Sequence, residues 1–291
     1  MVVRPLARLG LYAKLVRIDK PIGTLLLLWP TLWAFWAASA GQPPLGILLI
    51  FVAGTFLMRA AGCAINDYFD RDFDRHVRRT RDRVLTQGLI EPREALIVAA
   101  TLAVLAFLLV LLLNPLTIAL SFVALTLAAT YPLMKRLFGM PQAYLGLAFS
   151  FGMPMAFAAL TNEVPPVVWV FMLANLCWTV AYDTEYAMVD REDDLILGLK
   201  TSAITFGRFD VLAVGLCYFG ALGLLVVVGA LMQWQWPYYV GLLVALSIAA
   251  THLIWIRERD PAACFRAFRH NNWFGAAIFA GIVAQYLWSA P

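Results

Sequence analysis

The chain has 291 residues, of which 62% are apolar and only 14% are charged. This composition excludes an ordinary water-soluble globular protein, because a solvated surface needs a larger share of charged side chains. The net charge of +4 is spread along the chain instead of forming one basic patch, so we expect no nucleic-acid partner. The sequence therefore predicts a polytopic membrane protein.

Apolar segments long enough to cross a bilayer recur along the whole chain. About 20 residues of α-helix, each rising about 1.5 Å, span a hydrocarbon core of roughly 30 Å. The predicted transmembrane segments lie near residues 23–41, 46–66, 94–113, 115–133, 142–160, 165–183, 210–232, 235–256 and 271–288. No stretch between them is long enough for a second domain. We expect an all-α fold in which residues 1–291 form a single transmembrane domain of about nine helices.

The distribution of Lys and Arg predicts the orientation of these segments. Cytoplasmic loops retain Lys and Arg, whereas short translocated loops lack them. Apart from Arg59, the basic residues fall in the tail before residue 21 and in the loops at 67–93, 135–136, 184–209 and 257–270. These regions lie on one side when the predicted segments alternate. We therefore expect the amino terminus and both acidic clusters described next to be cytoplasmic.

The first acidic cluster, residues 66–74, directly follows the second apolar segment. Carboxylates at a membrane boundary are costly and are usually functional. If the helix continues beyond the bilayer, its turn of about 100° per residue places Asp72 away from the other oxygen-bearing side chains. Those that share one face are Asn66, Asp67, Asp70 and Asp74.

The second acidic cluster, residues 183–194, follows the sixth apolar segment. A continuous helix would again align its carboxylates, here Asp183, Asp190 and Asp194. Like charges this close need a positive partner, and oxygen ligands without nearby His or Cys favour Mg²⁺. Because Mg²⁺ commonly binds a few carboxylates together with phosphate oxygens, a phosphorylated substrate is expected. A solvated acidic loop neutralised by its own arginines is the alternative for either cluster alone.

Basic residues near the clusters are candidates for binding a diphosphate. Lys135 lies four residues after Tyr131 at the end of the fourth segment, and Arg79 and Arg136 are further candidates that topology alone would also explain. Arg59 differs because it lies inside the membrane, seven residues before Asn66. A buried guanidinium there needs an anionic partner, either a protein carboxylate or the carboxylate of a substrate.

Two motifs carry a resemblance to a known family. The pattern NDxxDxxxD at residues 66–74 and the pattern DTxYAxxDxxDD at residues 183–194 resemble the intramembrane aromatic prenyltransferases of the UbiA type. Flanking stretches are similar to the branch of that family that uses 4-hydroxybenzoate in ubiquinone biosynthesis. They are DKPIGTLLLLWPTLW at 19–33, LMRAAGCAINDYFDRDFDRHVRRT at 57–80, YPLMKR at 131–136 and ACFRAFRHNNWFG at 263–275.

The resemblance implies a helical bundle around a central cavity that opens to the cytoplasmic face and laterally to membrane lipid. The implied reaction is Mg²⁺-dependent transfer of a polyprenyl group from polyprenyl diphosphate to the ring carbon ortho to the hydroxyl of 4-hydroxybenzoate. The implied location is the bacterial inner membrane, with a cytoplasmic active site.

The resemblance also implies roles for individual residues. The implied Mg²⁺ ligands are Asn66, Asp70, Asp74, Asp183, Asp190 and Asp194, and the catalytic residues among them are Asp70, Asp74, Asp190 and Asp194. The implied diphosphate region comprises Tyr131, Lys135, Arg79 and Arg136, while Asp67 belongs to the first motif as a substrate-site residue. Arg59 would bind the aromatic carboxylate.

Two alternatives stay open at this point. A sister prenyltransferase would use an acceptor of the menaquinone, haem O or chlorophyll type. A cation transporter would also explain acidic residues in a membrane protein, although transporters more often place them near the midplane in broken helices.

Overall fold

The computed structural model describes residues 5–77 and 79–289, except for the side chains of 5–7 and 135–137. Within these residues the fold is all-α and contains no strand. The helices are α1 (Pro5–Leu15), α2 (Ile22–Ala38), α3 (Leu45–Asp74), α4 (Pro92–Val110), α5 (Pro115–Leu137), α6 (Pro141–Ser150), α7 (Gly152–Thr161), α8 (Val167–Val189), α9 (Arg191–Ile196), α10 (Ser202–Phe206), α11 (Asp210–Leu231), α12 (Trp236–Ile256) and α13 (Pro261–Ser289).

Seven stretches of the described chain are long and apolar enough to cross a membrane. They are Leu45–Asp74, Pro92–Val110, Pro115–Met134, Pro141–Thr161, Val167–Val189, Ser202–Leu231 and Trp236–Ile256. Helix α2 is apolar but has only 17 residues, and α13 has 29 residues with Arg266 and Arg269 in its first half. The predicted all-α membrane architecture is confirmed, whereas the count of nine crossings stays a prediction.

The predicted transmembrane segment near residues 142–160 corresponds to the candidate span Pro141–Thr161, which is divided into two helices. Helix α6 ends at Ser150 and α7 begins at Gly152. Pro154 explains the break, because proline cannot donate to the carbonyl four residues earlier and its ring crowds that carbonyl. Gly152 then lies against α2, since a Cβ at this position would be 2.3 Å from Thr31 Oγ1. The predicted transmembrane segment is thus confirmed as a candidate span, with a break after Ser150 that its length and hydropathy did not predict.

Aromatic side chains join α2, α8 and α13 in the core. Trp178 stacks on Trp33 and on Phe274, with ring centroids 5.3 Å apart in both pairs. Trp33 Nε1 also donates to the carbonyl of Gly275 at 3.0 Å. These large buried rings hold α8 firmly against its neighbours.

A buried polar cluster joins α8 to α11, α12 and α13. The Tyr218 hydroxyl lies 3.0 Å from Glu185 Oε1 and 2.9 Å from His252 Nδ1, and Asn271 Nδ2 donates to Glu185 Oε2 at 2.8 Å. All four residues are fully buried. Because buried polar groups must find partners, this cluster fixes how α8 is rotated in the bundle.

Candidate active site

Both acidic clusters line one cavity of about 1010 Å³. Helix α3 contributes four side chains and the α8–α9 region contributes three, so residues far apart in sequence face the same space. They are Asn66, Asp67, Asp70, Asp74, Asp183, Asp190 and Asp194. Apolar residues of α3, α4 and α5 continue the wall, among them Phe51, Phe107 and Phe122. The cavity therefore combines a carboxylate-rich region with an apolar region.

Helix α3 carries the first acidic cluster because it continues past the apolar segment to Asp74. Asp67 is 3% exposed and accepts from Arg17 Nη2 at 2.6 Å and from Arg83 Nη1 at 3.0 Å. Arg83 Nη1 also donates to Asp74 Oδ2 at 2.6 Å. The side chain of Asp72 is 68% exposed. The helix thus separates Asp72 from the cavity-lining residues, as its projection predicts.

The second acidic cluster does not lie on one continuous helix. Helix α8 ends at Val189, Asp190 has non-helical backbone angles (φ −102°, ψ 10°), and α9 begins at Arg191. The backbone N–H of Asp194 nevertheless donates to the carbonyl of Asp190 at 2.9 Å, which keeps the chain close to a helical path. The prediction of a single helical stripe was wrong, although Asp183, Asp190 and Asp194 all line the cavity.

Arg79, in the loop after α3, reaches across to the second acidic cluster. Its Nε lies 3.1 Å and 3.0 Å from the two carboxylate oxygens of Asp190, and its Nη1 donates to the Tyr186 hydroxyl. The guanidinium carbon lies 4.3 Å from the centroid of the Tyr186 ring. Burial lowers the pKa of the Arg79 guanidinium, but Tyr186 and Asp190 raise it more, so the net pKa is above its ordinary value. Arg79 stays charged and connects both motifs.

Two further arginines of the site were missed from the sequence. Arg17 lies between α1 and α2, Arg83 lies in the loop before α4, and both line the cavity and pair with acids of α3. Burial lowers the pKa of Arg17, but the Asp67 carboxylate contributes to a larger upward shift. No spacing rule could find either residue, because each belongs to a loop that folding brings back to the cavity.

Arg59 lines the same cavity from α3. Its Nη1 donates to Cys63 Sγ at 2.9 Å, and no carboxylate of the described residues forms an ion pair with it. A Cβ at Gly23 would lie only 2.4 Å from its Nη2, so α2 approaches the guanidinium closely. A protein carboxylate was one of the two anionic partners considered for Arg59, and no described residue supplies it.

Tyr131 lines the cavity from α5. The side chains of Lys135 and Arg136, which the sequence assigned to the diphosphate region, lie outside the described residues. Their roles stay predictions.

No group of three His, Cys, Asp or Glu side chains in the described residues forms a ready-made metal cluster. The oxygen donors of both motifs nevertheless suit Mg²⁺, because this ion binds a few carboxylates and takes its other ligands from water or phosphate. The oxygen donors of the two motifs come from different elements and face one cavity. This arrangement suits an ion that also binds a phosphorylated ligand.

The chain belongs to the UbiA prenyltransferase family, whose sequence profile matches residues 27–275. A protein of Cupriavidus necator named 4-hydroxybenzoate octaprenyltransferase is 63% identical over 281 residues, which cover 97% of this chain and 99% of the relative. Family membership and the apolar helices together make this protein a multi-pass membrane enzyme.

Solved structures share the fold. A UbiA homolog from Aeropyrum pernix K1 is similar with a TM-score of 0.78 and 24% identity, covering 88% of this chain and 96% of that one. A UbiA homolog from Archaeoglobus fulgidus bound to GPP and Mg²⁺ has a TM-score of 0.70 and 18% identity, covering 94% and 99%. The helical architecture is therefore that of the solved UbiA homologs.

Proposed function

We propose that this protein transfers a polyprenyl group from polyprenyl diphosphate to the ring carbon ortho to the hydroxyl of 4-hydroxybenzoate. The near full-length similarity to a relative named for this acceptor supports the proposal. The observation that carries it is the cavity itself, which combines two carboxylate motifs, an apolar wall and the guanidinium of Arg59. These three features match a metal-bound diphosphate, a prenyl chain and an aromatic carboxylate.

The carboxylate-rich region would hold Mg²⁺ and the diphosphate. The proposed metal ligands are Asn66, Asp70, Asp74, Asp183, Asp190 and Asp194, and of these Asp70, Asp74, Asp190 and Asp194 are the proposed catalytic residues. Bound Mg²⁺ supplies positive charge that stabilises the leaving diphosphate. Binding of Mg²⁺ and GPP by the homolog from Archaeoglobus fulgidus supports this assignment.

Cationic side chains would share the charge of the diphosphate. Arg79 spans from the loop after α3 to Asp190 and can donate to phosphate oxygens with its remaining N–H groups. Lys135, Arg136 and Tyr131 are proposed for the same region, while Asp67 orders Arg17 and Arg83 through its two ion pairs. The chain thus neutralises negative charge where the allylic carbon–oxygen bond breaks.

Arg59 would bind the acceptor carboxylate through two parallel N–H donors, which fixes the direction of the ring. Departure of diphosphate would leave an allylic cation, which the ring carbon ortho to the hydroxyl then attacks. Loss of the ring proton restores aromaticity, and either Asp190 or a phosphate oxygen would receive that proton. Apolar walls exclude the water that would otherwise capture the allylic cation.

We also propose a location and a domain structure for this protein. Residues 1–291 would form one transmembrane domain in the bacterial inner membrane, with the amino terminus and the cavity mouth on the cytoplasmic side. The clustering of Lys and Arg in loops on one predicted side supports this orientation.

Substitution of Arg59 tests the acceptor assignment. Arg59→Ala should lower kcat/KM for 4-hydroxybenzoate by about 100-fold or more, because a desolvated charge pair loses one partner. The KM for polyprenyl diphosphate should stay unchanged, and Arg59→Lys should retain part of the activity. The kcat/KM for 4-hydroxybenzoate and the KM for polyprenyl diphosphate are measured from the rate of product formation in proteoliposomes, with each substrate varied in turn.

Two outcomes would contradict the proposal. A loss of affinity for the diphosphate alone would move Arg59 to the donor site. The proposed reaction would be wrong if the wild-type protein prenylated only acceptors of the menaquinone, haem O or chlorophyll type. It would also be wrong if the protein only moved cations across the membrane.

A further inference from the structure

Tyr182 stands out among the large buried side chains that line the cavity. It lies on α8 directly before Asp183, is 2% exposed and borders the cavity. Its ring packs edge-on against Trp178 with centroids 5.3 Å apart and lies 6.2 Å from Phe268. These contacts hold the ring in place, so the position of its hydroxyl is determined as well.

The hydroxyl of Tyr182 makes no hydrogen bond with any described residue. Other fully buried tyrosines differ, since Tyr218 lies 2.8 Å from Asn271 Oδ1 and Tyr238 donates to the carbonyl of Leu225 at 2.8 Å. A buried hydroxyl without a partner destabilises the folded protein. Because Tyr182 lines the cavity, a ligand bound there is the candidate partner for this enclosed hydroxyl.

The proposed acceptor has a polar group at each end of its ring. Arg59 accounts for the carboxylate, which leaves the phenolic oxygen without an assigned partner. Substitution occurs at the carbon next to that oxygen, so the group that binds the oxygen also orients the reacting carbon. Tyr182 directly precedes Asp183 of the second acidic motif, and both residues line the cavity.

We infer that the Tyr182 hydroxyl binds the phenolic oxygen of the aromatic acceptor and selects acceptors that carry a hydroxyl para to the carboxylate. This inference rests on the proposed function. It assigns to Tyr182 a binding role in acceptor recognition and in the choice of ring carbon.

The variant Tyr182→Phe removes only the hydroxyl. The kcat/KM for 4-hydroxybenzoate should fall by about tenfold, the value expected for one lost hydrogen bond, while the KM for polyprenyl diphosphate stays unchanged. The Tm of the purified protein should stay the same or rise, because the removed group has no partner in the protein. In the matched control Tyr218→Phe, the Tm should fall because that hydroxyl is fully hydrogen-bonded.

A ligand that lacks the phenolic hydroxyl shows whether Tyr182→Phe removes one hydrogen bond or disturbs the whole acceptor site. Benzoate, used as a competitive inhibitor, should have the same inhibition constant for wild-type protein and Tyr182→Phe, whereas 4-hydroxybenzoate should bind the variant more weakly. Equal weakening of both ligands would overturn the inference. So would a fall in Tm for Tyr182→Phe, which would show that the hydroxyl has a protein partner such as the neighbouring buried Thr179.

The outcomes also distinguish this inference from the proposed function. Wild-type protein that uses 4-hydroxybenzoate, together with a Tyr182→Phe variant of unchanged acceptor kcat/KM, would overturn only the assignment of Tyr182. Wild-type protein that does not use 4-hydroxybenzoate would overturn both.

Discussion

Arg59 owes its position to the missing side chain at Gly23. Gly23 is the second residue of α2, and a Cβ there would lie 2.4 Å from Nη2 and 2.7 Å from Nε of Arg59. Both separations are far shorter than van der Waals contact. On the other side, Arg59 Nη1 donates to Cys63 Sγ at 2.9 Å. The guanidinium is therefore placed by one residue that yields space and another that accepts a hydrogen bond.

Gly23→Ala should displace the guanidinium and raise the KM for 4-hydroxybenzoate by about tenfold or more, because small misplacements of a binding group are costly. The KM for polyprenyl diphosphate should not change. Gly46→Ala is the matched control, since Gly46 is also the second residue of its helix, α3, and an added Cβ there meets nothing within 4 Å. Steady-state kinetics with each substrate varied in turn provides the comparison.

A double-mutant cycle ties this effect to Arg59. In an Arg59→Lys background the added methyl group no longer meets a guanidinium, so Gly23→Ala should have a smaller effect than in wild type. Fully additive effects of the two substitutions would show that Gly23 acts on the acceptor through some other contact.

At the scale of secondary structure, the long helix α3 sets the arrangement of the first motif. Its 30 residues continue two turns beyond the apolar segment, so cavity-lining acids and the outward-facing Asp72 lie on one rigid element. The helical period was sufficient to predict this separation.

Asp70→Asn should reduce turnover by about 100-fold or more, because it removes charge at the proposed metal and diphosphate site. Asp72→Asn, two residues away with the same chemical change, should leave turnover near the wild-type value. Both variants should retain the wild-type Tm. Equal loss of activity in the two would contradict the proposed division of the helix faces.

Periodicity was less successful where helices break. The break after Ser150 has a local cause in Pro154, but length and hydropathy alone made residues 142–160 look like one helix. The break at Asp190 could not be predicted in this way, because no proline or glycine lies beside it. There the carboxylate is held by Arg79, a contact between distant segments that no local pattern encodes.

At the scale of the whole molecule, the fold class, the paired motifs and their shared cavity could be predicted from the sequence. Composition, helical period and charge distribution each describe a single segment or the whole chain. None of them shows which distant residues come into contact. Arg17, Arg83 and Tyr182 could not be found in this way. The first two reach the cavity from loops, and the unpaired hydroxyl of Tyr182 can be recognised only once its surroundings are known.

The two sides of α8 have different roles, one facing the cavity and the other packing against neighbouring helices. One side of α8 carries Asp183 and Tyr186 into the cavity, while Glu185 faces the opposite way and is bonded to Tyr218 and Asn271. Because the polar cluster behind α8 is fully buried, it restrains the rotation of the helix that carries the second motif. The proposed prenyl chain would lie along the apolar wall formed by α3, α4 and α5.

The proposed prenyl transfer is tested most directly by following the ring hydrogens of the acceptor. Protein in lipid nanodiscs is supplied with ring-deuterated 4-hydroxybenzoate and a series of polyprenyl diphosphates, with Mg²⁺ or with a chelator. We expect a monoprenylated product that has lost a single deuterium from the position next to the hydroxyl, formed only with Mg²⁺. Product that retains every ring deuterium, or equal product formation in the presence of the chelator, would contradict it.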